Sequence, residues 1–131
     1  MQTFLPESDF AASARCLDYK RLGKQRVETY QILKGSWPHH PASKMWVGHR
    51  DALMAYGMEM CREWIRRGYK DNCMKYFENH NPEYVMPDWF GLPEFHASHR
   101  SNLLRKHPEH YSQFGWEEPD NLPYVWPTTG A

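Results

Sequence analysis

The sequence predicts an all-α fold, a single compact domain over residues 1–131 with three main helices, several short ones and an irregular aromatic-rich C-terminal tail. Long segments repeat apolar residues at spacings of three and four, the pattern of a helix with one face toward a core. Ser8 or Asp9 can cap the first helix, and Gly35 follows the second. No segment alternates convincingly with a period of two, as a half-buried strand would.

The expected helices follow one another with short connections. In chain order they span residues 10–17, 18–34, 42–67, 71–79 and 93–106. Two prolines, Pro38 and Pro41, mark the connection before the long third helix, and Gly68 ends it. Pro93 suits a first-turn position in the last helix. The tail from His107 is rich in aromatics and prolines, so we expect it to wrap the surface.

The charge is balanced overall but uneven along the chain. The formal net charge is zero, yet residues 15–70 carry twelve Lys and Arg against five acids, and residues 71–131 carry four against nine. Such asymmetry suggests a polarised surface that faces a polyanion. Chance distribution over a neutral surface is the alternative.

Cysteine usage and hydropathy indicate the compartment. Cys16, Cys61 and Cys73 are an odd number with wide spacing, which argues against a disulfide framework and fits a reducing environment. No apolar run is long enough for a transmembrane helix, and the N-terminus lacks the pattern of a secretory signal. We therefore expect a cytoplasmic protein with no membrane association.

The second helix carries the strongest candidate site. A helical wheel puts an apolar arc on one side, formed by Tyr19, Leu22, Val27, Tyr30 and Leu33. The opposite strip consists of Arg21, Lys24, Glu28 and Gln31. One acid thus lies inside a basic strip. This strip is either a functional surface or an ordinary solvated face with i,i+4 ion pairs such as Lys24–Glu28.

Arg26 is the exception on this helix, because it falls inside the apolar arc. A buried arginine needs a partner. That partner is either a carboxylate or, past the edge of the helix, a phosphate, and the sequence leaves both open.

Histidines and tail aromatics are further candidates. His96 and His99 have the i,i+3 spacing of a zinc pair, but no HExxH and no acidic ligand pattern accompany them. We therefore favour surface or hydrogen-bonded histidines and expect no metal. Four aromatic residues of the tail could stack on bases: Tyr111, Phe114, Trp116 and Trp126.

Four stretches together resemble the pyrimidine-dimer DNA glycosylases with abasic-site lyase activity, the endonuclease V type of T-even phages. In the first, Leu17, Leu22 and Glu28 reproduce the spacing of two leucines and the catalytic glutamate on that family's early helix. The others are the His40-Pro41 loop, the run 48–71 with its basic-glycine-aromatic turn, and the run 93–114. Their order and spacing carry the likeness, which spans most of the chain.

The resemblance implies a specific chemistry. The N-terminal amine, here of Met1, attacks C1′ of a damaged nucleotide, forms a Schiff base and cuts the strand by β-elimination, while Glu28 stabilises positive charge and takes the C2′ proton. Amino-terminal amines suit this role, because their pKa in peptides is about 7.7–8.0 against about 10.4 for lysine. Gln2 is bulky, so we expect Met1 to be retained. The resemblance implies no metal and no cofactor.

The expected partner is double-stranded DNA with damaged or modified bases, bound by a monomer. The predicted DNA contacts are Lys20, Arg21, Lys24, Arg26, Gln31, His40, Arg100 and Tyr111. The sequence departs from the family pattern in placing Val27 and Gln31 where arginines flank the glutamate. Two other functions remain open: a non-catalytic DNA-binding protein on the same fold, and a metal-dependent nuclease that uses the histidines.

Overall fold

Helices and connecting loops make up the computed structural model, which describes residues 1–127. The α-helices are α1 (Phe10–Cys16), α2 (Tyr19–Leu33), α3 (Pro41–Lys44), α4 (Arg50–Arg66), α5 (Pro93–Lys106) and α6 (Pro108–Tyr111). Short 3₁₀ turns lie at Met74–Tyr76 and Ser112–Phe114. No strand occurs between residues 1 and 127, so the all-α prediction is confirmed. Within that range, no helix has the length and apolar character needed to cross a membrane.

Helix α4 is the centre of the core, with α1 and α2 packed against it. Two glycines allow close approach. A Cβ on Gly23 of α2 would lie 3.1 Å from the Trp64 ring, and one on Gly57 of α4 would lie 2.7 Å from the Phe77 ring. Aromatic rings therefore fill the space that side chains would take at these two positions, which explains glycine inside both helices despite its low helix propensity.

Of the five helices expected from the sequence, three have the predicted bounds and two do not. α1, α2 and α5 begin and end within a residue or two of the expected positions. The prediction of one long helix over 42–67 is wrong. The first helix of this region ends at Lys44, and the chain turns at Gly48, whose φ is +83°, before α4 begins. The helix expected over 71–79 is also wrong. One carboxylate oxygen of Asp71 accepts from Arg26, and the other accepts from the backbone N–H groups of Cys73 and Met74. The chain that follows forms only a 3₁₀ turn at Met74–Tyr76.

The buried face of α2 differs from the predicted apolar arc. Its buried residues are Leu22, Gln25, Arg26, Thr29 and Ile32, whereas Tyr19 and Val27 are 54% and 43% exposed. The helix is rotated relative to the expectation because two polar residues, Gln25 and Arg26, find partners in the interior. A hydrophobicity pattern cannot anticipate partners from distant parts of the chain.

The first residues of the chain run extended through the interior, and side chains of α2, α4 and α5 hold them. The Phe4 N–H donates to Gln25 Oε1 at 3.0 Å, and the Tyr56 hydroxyl lies 2.9 Å from the Phe4 carbonyl oxygen. The Trp46 indole N–H donates to Thr3 Oγ1 at 3.0 Å. These bonds satisfy the buried polar backbone and fix the path that leads to Met1.

Two histidines of α5 complete this anchoring. The Leu5 N–H donates to His99 Nδ1 at 2.9 Å, and His96 Nδ1 lies 2.8 Å from the Leu5 carbonyl oxygen. His96 Nε2 accepts from Gly91 N–H, so its Nδ1 carries the proton that Leu5 accepts. The interpretation as hydrogen-bonded histidines is therefore confirmed for this pair.

Stability should fall between pH 6.5 and 5 because His99 is buried in the neutral form. Burial lowers the pKa of His99 to about 3, while an unfolded histidine has a pKa of about 6.5. The unfolded chain then binds a proton that the folded chain does not, so stability is complete above the unfolded pKa and declines as the pH falls toward 3. The expected slope approaches about 1.4 kcal/mol per pH unit for this one group.

Urea denaturation at a series of pH values measures this slope, and most carboxylates stay ionised in that window. In His99→Asn, the side-chain oxygen can still accept from Leu5 N–H, but the group does not titrate. The variant should therefore have a shallower pH profile than the parent protein. An equal slope in both proteins would contradict the assignment. His96 and His40, whose pKa values burial also lowers, contribute to the slope that remains.

The C-terminal tail lies along α5. Ser101 Oγ accepts from Leu122 N–H at 2.9 Å, and Ser98 Oγ accepts from Val125 N–H at 3.2 Å. The Asn102 amide donates to the Leu122 carbonyl oxygen at 3.0 Å. This course brings the aromatic residues after Leu122 next to the N-terminus.

Candidate active site

A surface pocket of about 320 Å³ lies where the N-terminus meets α2. It contains both residues expected to be catalytic, Met1 and Glu28. The rest of its wall consists of Gln2, Phe4, Lys20, Arg21, Lys24, Gln25, Lys106 and Tyr124. Met1 and Glu28 thus line one and the same cavity.

Gln25 joins the two halves of this pocket. Its Nε2 donates to the Gln2 carbonyl oxygen at 2.8 Å and to Glu28 Oε2 at 3.3 Å. Its Oε1 accepts from Phe4 N–H, and the Tyr56 hydroxyl donates to the same oxygen. Gln25 is 1% exposed, and a buried amide with every group engaged is rigid. It therefore fixes the first residues relative to the Glu28 carboxylate.

Cations surround the single carboxylate of the pocket wall. Lys20, Lys24 and Lys106 are exposed, and Arg21 is half-buried. Arg21 also pairs with Asp18 at 3.2 Å, so part of its charge is engaged. Partial burial, followed by repulsion from Arg21 and Arg105, lowers the pKa of Lys106. The excess of positive charge makes the pocket attractive to phosphate groups.

His40 lies near the terminal amine. Partial burial, followed by repulsion from the Met1 ammonium group, lowers the pKa of His40. Its Nδ1 accepts from Ala42 N–H at 3.0 Å and so caps α3, and its ring meets Trp126 at a centroid distance of 5.9 Å. His40 is half-buried, so the structure leaves part of its ring open to a ligand.

A second groove of about 430 Å³ lies along the outer side of α2 and holds Gln31. Tyr19 and Trp64 form its aromatic part, with ring centroids 5.4 Å apart in a stacked arrangement. Lys20, Lys24 and Glu28 line both cavities. Gln31 is therefore near the candidate site, although it does not line the pocket of Met1.

Arg26 is not placed for a phosphate contact, and the expectation that it binds DNA is corrected. It is 9% exposed, forms an ion pair with Asp71, and its guanidinium lies 4.3 Å from the centre of the Trp64 ring. Of the two partners that the sequence left open, the structure has the carboxylate. Burial would raise the pKa of Asp71, but hydrogen bonds from Arg26 and from the Met74 N–H outweigh it and lower that pKa.

Tyr111 and Arg100 are also corrected as DNA contacts. Tyr111 is fully buried, its hydroxyl accepts from Asp18 N–H and donates to the Asp18 carboxylate, and burial raises its pKa. Arg100 donates to both Glu118 oxygens and to the Pro6 carbonyl oxygen. These side chains hold the tail and the N-terminal segment, and their polar groups are occupied within the protein.

Histidine and cysteine side chains do not gather into a ligand cluster in the described structure. Across residues 1–127, no three His, Cys, Asp or Glu side chains lie close enough together to hold a metal ion. The cysteines are free thiols and all three are buried.

Five pocket residues were missing from the sequence-based list: Gln2, Phe4, Gln25, Lys106 and Tyr124. Gln25 gave no signal in the sequence, because it lies outside the predicted apolar arc and only the structure shows that it faces the core. Lys106 belongs to one of the stretches that carried the resemblance. Tyr124 reaches the pocket only through the path of the tail, which no local pattern encodes.

The fold and the pocket define an all-α protein whose terminal amine and a helix carboxylate share one cationic cavity. A family model described as pyrimidine dimer DNA glycosylase matches residues 1–77, which include Met1, Gln25 and Glu28. The match spans more than half of the chain, and the protein belongs to this family of DNA glycosylases. No curated protein and no solved structure matches the chain.

Proposed function

We propose that the protein is a DNA glycosylase with abasic-site lyase activity on damaged or modified pyrimidines in duplex DNA. The observation that carries this proposal is the shared pocket of Met1 and Glu28, which Gln25 bridges by its two donated hydrogen bonds. Family membership supports the glycosylase part. The lyase part rests on the chemistry that an amine and a carboxylate can perform together.

The reaction begins with the neutral Met1 amine. Its nitrogen forms a bond to C1′ and loses a proton, while the bond from C1′ to the base breaks and its electron pair leaves with the base. Opening of the sugar ring gives a Schiff base between the amine and C1′. The Glu28 carboxylate lies on the same cavity, where it stabilises positive charge on the sugar.

Strand cleavage follows from the same pair of groups. Glu28 accepts the proton from C2′, the electrons of that bond form a double bond, and the 3′ phosphate leaves by β-elimination. Lys20, Lys24 and Lys106 contact the phosphates on either side of the reacting nucleotide. Damaged base pairs open at lower cost, which favours access of C1′ to the pocket.

Borohydride trapping tests this proposal. Untagged protein is incubated with duplex DNA that contains one abasic site, the Schiff base is reduced, and the cross-linked residue is located by mass spectrometry. We expect one adduct at the Met1 nitrogen, and no adduct when that amine has been acetylated. A gel-shift assay confirms that the acetylated protein still binds the duplex.

Two results would contradict the proposal in different ways. An adduct that survives acetylation moves the nucleophile to a lysine of the pocket, namely Lys20, Lys24 or Lys106. Salt-sensitive binding with no adduct in the untreated protein leaves a DNA-binding protein without lyase chemistry.

A further inference from the structure

Gln2 is a buried polar side chain on the wall of the candidate pocket. It is 3% exposed and follows Met1 directly in the chain. Its Oε1 accepts the Thr3 N–H at 2.9 Å. This bond identifies which end of the carboxamide is the oxygen, so the other end carries the two N–H donors.

Those donors have no acceptor in the described protein. Between residues 1 and 127, the Nε2 of Gln2 is among the few buried side-chain nitrogens without a hydrogen-bond partner. Buried polar atoms are nearly always paired. Gln25, the other buried glutamine of the pocket, uses both its donors and its acceptor within the protein. Residues 1–127 supply no acceptor for Gln2, and because Gln2 lines the open pocket, a ligand bound there is positioned to supply one.

The chemistry of the pocket restricts what this partner can be. Lysine and arginine side chains are already present for phosphates. A neutral amide in a buried position is better suited to a neutral acceptor, because it can form a directional bond without the cost of burying a charge. An acceptor bound by residue 2 also lies close to whatever the amine of residue 1 attacks, since neighbouring Cα atoms are about 3.8 Å apart.

In a pyrimidine nucleotide, two neutral acceptors lie next to C1′, the sugar oxygen O4′ and the base oxygen O2. O4′ loses electron density as the bond to the base breaks, whereas O2 gains it, so O2 is the better acceptor for a donor that assists excision. C1′ is bonded to N1 of the base, and the adjacent ring carbon carries the carbonyl oxygen O2. We propose that Gln2 donates a hydrogen bond to O2 of the pyrimidine that is being excised. This inference rests on the proposed function and adds a residue that recognises the base.

Such a bond would act on the base-release step. When the bond between C1′ and N1 breaks, its electron pair is shared between N1 and O2 of the leaving base. A donor at O2 therefore binds the leaving base more strongly than the intact nucleotide, which accelerates excision. An abasic site has no base and no O2, so its cleavage does not use Gln2.

This difference between two substrates supplies the test. Gln2→Met keeps the length of the side chain, and its bulk at the second position should preserve Met1. In this variant we expect excision from a thymine-dimer duplex to slow about tenfold. Cleavage of a duplex with a preformed abasic site should stay within about twofold of the parent rate. Intact mass confirms that Met1 is retained, and Gln113→Met, which changes an exposed glutamine outside the pocket, is the matched control.

Gln2→Glu guards against a loss of folding, because it keeps an acceptor for the Thr3 N–H while removing the donors. Its excision rate should fall at least as far as that of Gln2→Met. If both variants excised the dimer and cleaved the abasic site at the parent rates, the role of Gln2 would be refuted while the proposed function would stand. A parallel loss of both reactions would also overturn it, since that would make Gln2 a support for the amine. A parent protein that neither cuts abasic DNA nor excises the dimer would refute the proposed function itself.

Discussion

Glu28→Gln should reduce cleavage of abasic-site duplex by about a hundredfold or more, because general-base catalysis usually contributes about 10²–10⁴ in rate. The variant side chain cannot take the C2′ proton or carry the negative charge that faces the sugar. Its amide oxygen can still accept from Gln25 Nε2, so the geometry of the pocket should be preserved. Single-turnover kinetics on a duplex with one abasic site measure the effect.

DNA affinity provides the companion measurement. Removing one negative charge from a wall rich in cations should leave binding of the duplex unchanged or slightly tighter. Glu94→Gln is the matched control, because Glu94 is an exposed glutamate in the first turn of α5 and does not line the pocket. If Glu28→Gln cleaves at the parent rate, the carboxylate has no catalytic role and the proposal loses its second residue.

Asp71→Asn should cause the largest loss of stability among conservative replacements of charged side chains. The change leaves Arg26 as a buried cation without its counter-ion, which costs about 3–5 kcal/mol when a buried pair is broken. The Asp71 carboxylate also accepts the backbone N–H groups of Cys73 and Met74. For a chain of this length, we expect the Tm to fall by about 10 °C or more.

The same variant tests whether Arg26 contacts DNA. Because Arg26 lies in the interior, the salt dependence of DNA binding below the melting temperature should not change. Asp88→Asn, which alters an exposed aspartate, is the control and should shift the Tm little. A variant with full stability and weaker DNA binding would contradict the corrected role of Arg26 and place it at the DNA surface.

The proposed N-terminal nucleophile depends on how the fold holds the first residues of the chain. A chain terminus usually lies loose at the surface. Here Thr3 and Leu5 are fully buried, and side chains from α2, α4 and α5 bind the backbone around them. Met1, at the end of this segment, is half-buried and lines the cavity. The entropy lost in ordering the terminus is offset by these buried hydrogen bonds and by apolar contacts.

Prediction from the sequence succeeded where the signal was local. Local signals gave α1, α2 and α5: capping residues at α1, Gly35 after α2 and Pro93 at the start of α5. Helix ends depend on residues within a few positions. Arg21, Lys24 and Glu28 were placed on one face of α2, and the structure has all three on the pocket wall. The spacing of residues on a helix fixes such neighbours without any knowledge of the rest of the chain.

The sequence by itself thus determined the helical class, the bounds of the three helices α1, α2 and α5, and the cationic strip around Glu28. Only the tertiary structure decided the partners of buried polar groups: Asp71 for Arg26, Asp18 for Tyr111, and the N-terminal backbone for Gln25. Each of these pairs joins residues more than twenty positions apart. A buried donor or acceptor must be satisfied, but its own neighbourhood in the chain does not say by which residue. That choice depends on how the helices assemble.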